Sequence, residues 1–155
     1  MEHVLVEGEI KLTSISIDDI ENLRNWKNEN KEFFFLDKEI TIEKQKTWYE
    51  NIYLKDENNY IFIITYRFHK IGTIGCRLIN DKWDIYNVMN ISNSFKGKGI
   101  MSMALKLLID FTETIKISEI SAKVLVSNLN LNWYLKNRFV VSEKLDNYYL
   151  IKYIK

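Results

Sequence analysis

In a chain of 155 residues with only five glycines, two stand one residue apart in the run Phe95-Lys96-Gly97-Lys98-Gly99-Ile100-Met101. The preceding WDIYNVMNI reads as a strand and the following SMALKLLIDF as a helix. A strand that feeds a glycine-bearing loop and then opens a helix is an anion site in prospect. The first amides of a helix lack partners and carry the positive end of its dipole. Glycine lets main chain approach a phosphate without a Cβ in the way, and Lys96 and Lys98 add charge at the same place. The spacing is not that of a P-loop, and the dinucleotide fingerprint fails because position 102 is Ser. Taken alone, the run is equally well a tight strand-to-helix turn with solvated lysines.

Composition narrows the chemistry. Apolar residues make up 46% and charged residues 28%, values of an ordinary globular chain of a single domain, residues 1–155. Net charge is +1, and no basic stripe with interleaved aromatics runs along the chain, which argues against nucleic acid as a partner. One cysteine, Cys76, forbids an internal disulfide, and two histidines leave little for a His/Cys metal cluster, so no metal is expected. MEHVLVEGEI lacks the basic start and apolar run of a leader or a membrane span. The expectation is a cytoplasmic protein, monomer or homodimer, with no membrane role.

The elements that would position the loop follow from hydrophobic period. Val4 to Leu12 reads as a first strand. Ser16 with an acid three residues on starts a helix carrying Ile20, Leu23 and Trp26, and Thr41 caps a second one. Tyr60–Phe68, Ile71–Asn80 and Lys82–Ile91 read as an antiparallel meander, with turns at His69-Lys70 and Asn80-Asp81. Ile100, Met103, Ala104, Leu107, Leu108 and Phe111 trace one helical stripe. A strand at Glu119–Val126, a short helix at Leu129–Lys136 and a hairpin of Val140–Leu145 with Tyr148–Ile154 complete the order β-α-α-β-β-β-α-β-α-β-β, a mixed, mostly antiparallel α/β fold.

This order and FKGKGIMSMALKLLIDF together resemble the GNAT superfamily of acetyl-CoA-dependent acyltransferases, whose pattern here is Arg/Gln-x-x-Gly-x-Gly/Ala. Lys96 takes the basic position and Gly99 the first required glycine, while Met101 stands where the second small residue would be. The similarity continues in SNLNLNWYLKNRF. There Asn128, Tyr134, Lys136 and Phe139 match the family's Asn…Tyr-x-Lys-x-Gly-Phe segment in type, with Arg138 in place of the glycine and the spacing one residue short. The resemblance implies that acetyl-CoA is the co-substrate. Lys96, Gly97, Lys98, Gly99, Ile100, Met101 and Ser102 would hold its diphosphate, with Asn128 nearby. Met89 and Ile91 would lend main chain to its pantetheine arm, with Asn90 between them among the cofactor-binding residues and the amide near Met89 polarising the thioester carbonyl.

Acetyl transfer to an amine also needs a proton acceptor for the amine and a donor for the leaving thiolate. Tyr134 is the expected donor. Asp84 and Tyr86, two apart on a strand and therefore on one face, are the candidates for the acceptor, Asp84 ranked first. The run LRNWKNENKEFFFLDKEITIEKQKTWYENI is similar to family members that acetylate amino-sugar nucleotides. Arg24, Trp26, Lys27 and Asn28 form the shared stretch, and Trp48 is an aromatic late in the second helix. Cations suit a diphosphate and aromatics stack on a base or sugar, so Arg24, Trp26, Lys27 and one of Phe33, Phe34 and Phe35 are expected to line the acceptor site. Family members that acetylate protein N-terminal amines share similar stretches. A protein amine acetyltransferase and a non-catalytic CoA-binding regulatory module stay open beside the small-molecule amine reading.

Overall fold

The structure, a computed structural model, describes residues 2–31, 34, 38–92 and 94–155. Phe33 and Phe35 lie outside the described residues. The chain divides into two compact units, Met1–Ile15 with Asn58–Ser118 and Ser16–Glu57 with Glu119–Lys155.

The first unit is an antiparallel sheet in the order β1 (Val4–Glu7), β2 (Ile10–Ser14), β3 (Asn59–Tyr66), β4 (His69–Ile79) and β5 (Lys82–Asn90), carrying the helix α3 (Ile100–Ile115). The single first strand expected over Val4–Leu12 is instead a two-stranded hairpin. Gly8, at φ +60°, takes the first position of a two-residue turn, where a left-handed conformation matches the twist of the flanking strands. The expected turn at Asn80-Asp81 is present, both residues having positive φ. The turn before it lies at Arg67-Phe68, two residues earlier than expected, again with both φ positive, so His69 and Lys70 already belong to β4.

Alternation along β3 sends Phe62 and Ile64 to one face and Ile61 and Ile63 to the other, and all four are buried. The α3 side is organised by Phe111, whose ring meets Tyr60 at 5.0 Å, His3 at 5.1 Å and Phe62 at 5.5 Å, each edge-on. Trp83 is fully buried, and its indole N–H donates to the Lys116 carbonyl at 2.8 Å, which closes the helix C-terminus. Cys76 is buried at 0% exposure, and that burial pushes its thiol well above the usual range. The stripe on α3 departs in part from expectation. Ile100, Ala104, Leu108 and Phe111 are buried as expected, but Met103 is exposed, while Leu105 and Ile109 are buried.

In the second unit, Ser16 and Asp19 form a reciprocal capping box around a short 3₁₀ turn that leads into α1 (Ile20–Glu29). Thr41 accepts from the Lys44 amide and caps α2 (Ile42–Trp48), which widens into a π turn at Tyr49–Tyr53. Strands β6 (Ile120–Leu125), β8 (Tyr148–Tyr153) and β7 (Phe139–Lys144) pair antiparallel in that order, and α4 spans Leu131–Lys136. Among the described residues, no helix is long and apolar enough to cross a membrane, and no group of three His, Cys, Asp or Glu is placed to hold a metal ion.

Candidate active site

In the first unit, the glycine loop is anchored at its start and open at its crest. The Phe95 ring packs against Tyr66 and His69 of the β3–β4 hairpin, at 5.3 Å from each. Ile100 anchors the far end at 5% exposure, while Lys96, Gly97, Lys98 and Gly99 are exposed between them. Gly97 has φ +81°, and Gly99, the residue before α3, has φ +72° and ψ +15°. A Cβ on either glycine would meet nothing within 4 Å. The dihedral angle, not crowding, therefore demands glycine here, and the space above the loop is open. No side chain caps this end of α3, and its first turn carries no acid to compete for an anion. An open helix N-terminus of this kind could hold an anion such as a diphosphate, and the Lys98 ammonium lies 5.7 Å from the Phe95 ring centre at the start of the loop. Met101 and Ser102 are half-buried in the first turn.

The strand ahead of the loop carries the other expected groups. Asp84 pairs with Arg77 and Tyr86 with Gly75 across the β4–β5 register, so both candidate acceptors share one face. Asn59 of β3, opposite Arg77, belongs to the same face. Arg77 Nε donates to Asp84 Oδ2 at 3.0 Å, and its guanidinium lies 4.0 Å from the centre of the Tyr86 ring. The Tyr86 hydroxyl donates to Asn59 Oδ1. Gly75 makes room for this arrangement, since a Cβ there would lie 3.3 Å from the Tyr86 ring edge and 2.9 Å from the Tyr60 carbonyl oxygen. Arg77 and Asn59 escaped the sequence reading because only the strand register places Arg77 opposite Asp84 and Asn59 opposite Arg77.

Main-chain direction refines the expectation for residues 89–91. The Ile91 N–H donates to the Ile71 carbonyl at 2.8 Å, so it is spent within the sheet and not available to a bound molecule. Met89, paired with Thr73, has the same parity. In an antiparallel ladder the intervening residue turns its N–H and C=O the other way, so Asn90 presents main chain on the far edge of β5. The Met89 side chain is buried, and the Asn90 carboxamide oxygen accepts from the Ser92 amide.

In the second unit, Tyr134 is 7% exposed on α4, its ring edge-on to Trp133 at 4.8 Å and Phe139 at 5.6 Å. Asn128 spends its side-chain oxygen on the Asn130 amide, shaping the turn into α4. Arg24 is committed to Glu21 at 2.6 Å and to the Ile40 carbonyl at 3.1 Å. The hydrogen bond to Glu21 raises the guanidinium's pKa and lowers the glutamate's. Asn28 grips the Ile40 main chain on both sides, its Oδ1 accepting from the Ile40 N–H at 2.7 Å and its Nδ2 donating to the Ile40 carbonyl at 3.0 Å. Trp26 is half-buried, with its carbonyl accepting from Asn30. The Lys27 ammonium lies 5.8 Å from the Phe34 ring centre.

A cleft of about 270 Å³ opens in this unit, lined by Leu23, Lys27, Ile40, Lys44, Gln45 and Trp48. Of the four expected acceptor residues, Lys27 lines it; Arg24 instead ties the segment at Ile40 to α1. Lys44 and Trp48 stand one helical turn apart on α2, a spacing visible in the sequence once both are assigned to one helix.

A family model described as the acetyltransferase (GNAT) domain matches residues 9–132. Solved structures share the fold at low identity. FdhC, described as a nucleotide-linked sugar GNAT, is 18% identical over 99% of this chain and 90% of its own, with a TM-score of 0.78. Spermidine N-acetyltransferase from Vibrio cholerae, in complex with CoA and spermine, is 17% identical over 94% of each chain, with a TM-score of 0.77. The ribosomal alpha-N-protein acetyltransferase RimL is 22% identical over 98% of this chain and 92% of its own, with a TM-score of 0.72. No curated protein matches the sequence.

Proposed function

Because the chain belongs to the GNAT acetyltransferase family, we propose that it moves an acetyl group from acetyl-CoA to the primary amine of a nucleotide-linked amino sugar, by direct attack in a ternary complex. The cleft in the second unit carries this reading. The three similar structures name three kinds of acceptor: a nucleotide-linked sugar, a polyamine and a ribosomal protein. Two ammonium groups, Lys27 and Lys44, line a cleft whose remaining walls are largely apolar, with Trp48 among them. Such a lining repels a polycation and suits a ligand that joins anionic phosphates to a flat ring. Its size also favours a small molecule over an extended peptide. The family match draws on both units, which supports reading residues 1–155 as one domain.

When bound, acetyl-CoA supplies an activated acyl thioester. The main chain from Gly97 to Ile100, with Lys96 and Lys98, holds the diphosphate in this reading, and Asn90 offers its outward amide and carbonyl to the arm. Asp84, oriented by Arg77, takes the amine proton. Tyr134 gives a proton to the departing thiolate, its ring held by Trp133 and Phe139.

A thiol-release assay with acetyl-CoA over amino-sugar nucleotides, polyamines and short peptides tests the proposal. Turnover on an amino-sugar nucleotide is expected. Turnover confined to spermidine or to a peptide would replace the acceptor, and CoA binding without thiol release on any amine would favour a regulatory module.

A further inference from the structure

The β4–β5 ladder breaks its register once. Thr73 pairs with Met89 and Gly75 with Tyr86, so Asn87 and Val88 together face the single residue Ile74. Asn87 takes φ +54°, and its carbonyl accepts the buried Thr73 hydroxyl at 2.6 Å. Its side-chain Nδ2 is buried without a hydrogen-bond partner. A left-handed residue and an orphaned donor are unfavourable, and such features persist where the surroundings hold them for a purpose.

What holds the chain beyond the bulge is an absence. A Cβ on Gly72 would lie 1.8 Å from the Met89 carbonyl oxygen, 2.8 Å from its carbon and 3.1 Å from the Asn90 Cα. These are backbone atoms, which cannot swing aside as a flexible side chain would. Any side chain at position 72 must drive residues 89 and 90 away from β4. Gly97 and Gly99 differ, because they have open space around them and are needed for their dihedral angles.

We propose that Gly72 and Thr73 are positioning residues for the pantetheine arm of the acyl donor. Gly72 admits the Met89 carbonyl against β4, Thr73 ties down the bulge, and together they fix where the Asn90 N–H and C=O stand along the strand edge. The inference rests on the reading that acetyl-CoA is the donor and lays its arm along β5. The diphosphate loop is a separate device, so the two portions of the donor answer to different residues.

Calorimetric titration with two ligands separates them: CoA, and adenosine 3′-phosphate 5′-diphosphate, which keeps the diphosphate and lacks the arm. For Gly72→Ala, the Kd for CoA is expected to rise about tenfold or more while that for the armless ligand stays within about twofold. Thr73→Val keeps the side-chain shape, removes the hydroxyl and adds no clash; it is expected to shift the same ratio by about threefold. Should Gly72→Ala fail to give a cooperative thermal transition, the Thr73→Val ratio decides alone. Equal weakening of both ligands, or an unchanged ratio, overturns the positioning role while leaving the donor reading intact. Failure of the wild-type chain to bind CoA overturns both.

Discussion

Arg77 Nε reaches Asp84 Oδ2 at 3.0 Å from the opposing position of the neighbouring strand, and the same guanidinium covers the Tyr86 ring. The Asp84 side chain is 13% exposed and that of Arg77 39%, so the pair is partly shielded from water. Asp84→Asn keeps an acceptor for Arg77 and is expected to cost little stability, but to lower kcat/KM about 10²-fold if the carboxylate takes the amine proton. Arg77→Met removes the guanidinium from this carboxylate and is expected to destabilise the fold by about 1–3 kcal/mol. Steady-state kinetics and thermal melts on both variants check this. Wild-type turnover in Asp84→Asn would remove Asp84 from the chemistry.

The cleft reading makes its own demand. Lys44→Glu reverses one of its charges, and Trp48→Ala removes its aromatic wall. Each is expected to raise KM for an amino-sugar nucleotide by about tenfold or more, with CoA affinity unchanged. Lys44→Glu should also improve turnover of spermidine. An unchanged KM for the sugar nucleotide in both variants would move the acceptor elsewhere.

Gly99→Val forces a β-branched residue to φ +72° in open space. The expected result is about 1 kcal/mol or more of destabilisation, with loss of binding for CoA and for the armless diphosphate ligand alike. Normal CoA affinity in this variant would sink the assignment of the loop.

Tyr134→Phe keeps the ring contacts to Trp133 and Phe139 and removes only the hydroxyl. Turnover should fall about 10²-fold while acetyl-CoA affinity holds. Single-turnover kinetics with calorimetry distinguish the two effects, and equal activity would exclude Tyr134 as the acid.

Asp81, in the β4–β5 turn, is held below the usual carboxylate range by its hydrogen bond to Lys116 at 2.8 Å. A lowered folded pKa means that the stabilisation is full above the unfolded carboxylate range and is lost as pH falls through the folded value. The Tm deficit of Asp81→Asn should therefore show at neutral pH, vanish in strong acid, and shrink with added salt because both partners are exposed. A deficit that stays constant from neutral pH to strong acid would show that the ion pair contributes nothing.

Much of the fold was legible because local chemistry and tertiary structure agree. The Ser16–Asp19 box, the Thr41 cap and the Asn80-Asp81 turn are each carried by residue types suited to them. Arg67 and Phe68 offer no such cue, since neither is a residue that favours positive φ, and the turn was expected two positions late. On α3 nearly every face is apolar, so period alone could not choose Leu105 and Ile109 over Met103. The bulge at Asn87 leaves no compositional trace, and the hydrogen-bonding parity of residues 89–91 cannot be counted back across an irregular loop. The cleft needed Ile40 brought to α1 by Asn28 and Arg24, a long-range closure that no local pattern encodes.

The inaccessible sulfur at position 76 has a practical corollary. As the chain's sole thiol, sealed inside the sheet and held protonated by its surroundings, it gives an electrophilic dye nothing to react with while the protein stays folded. Colour developed in a transfer assay then counts liberated coenzyme alone, and a slow background tracking enzyme concentration would report unfolding rather than catalysis.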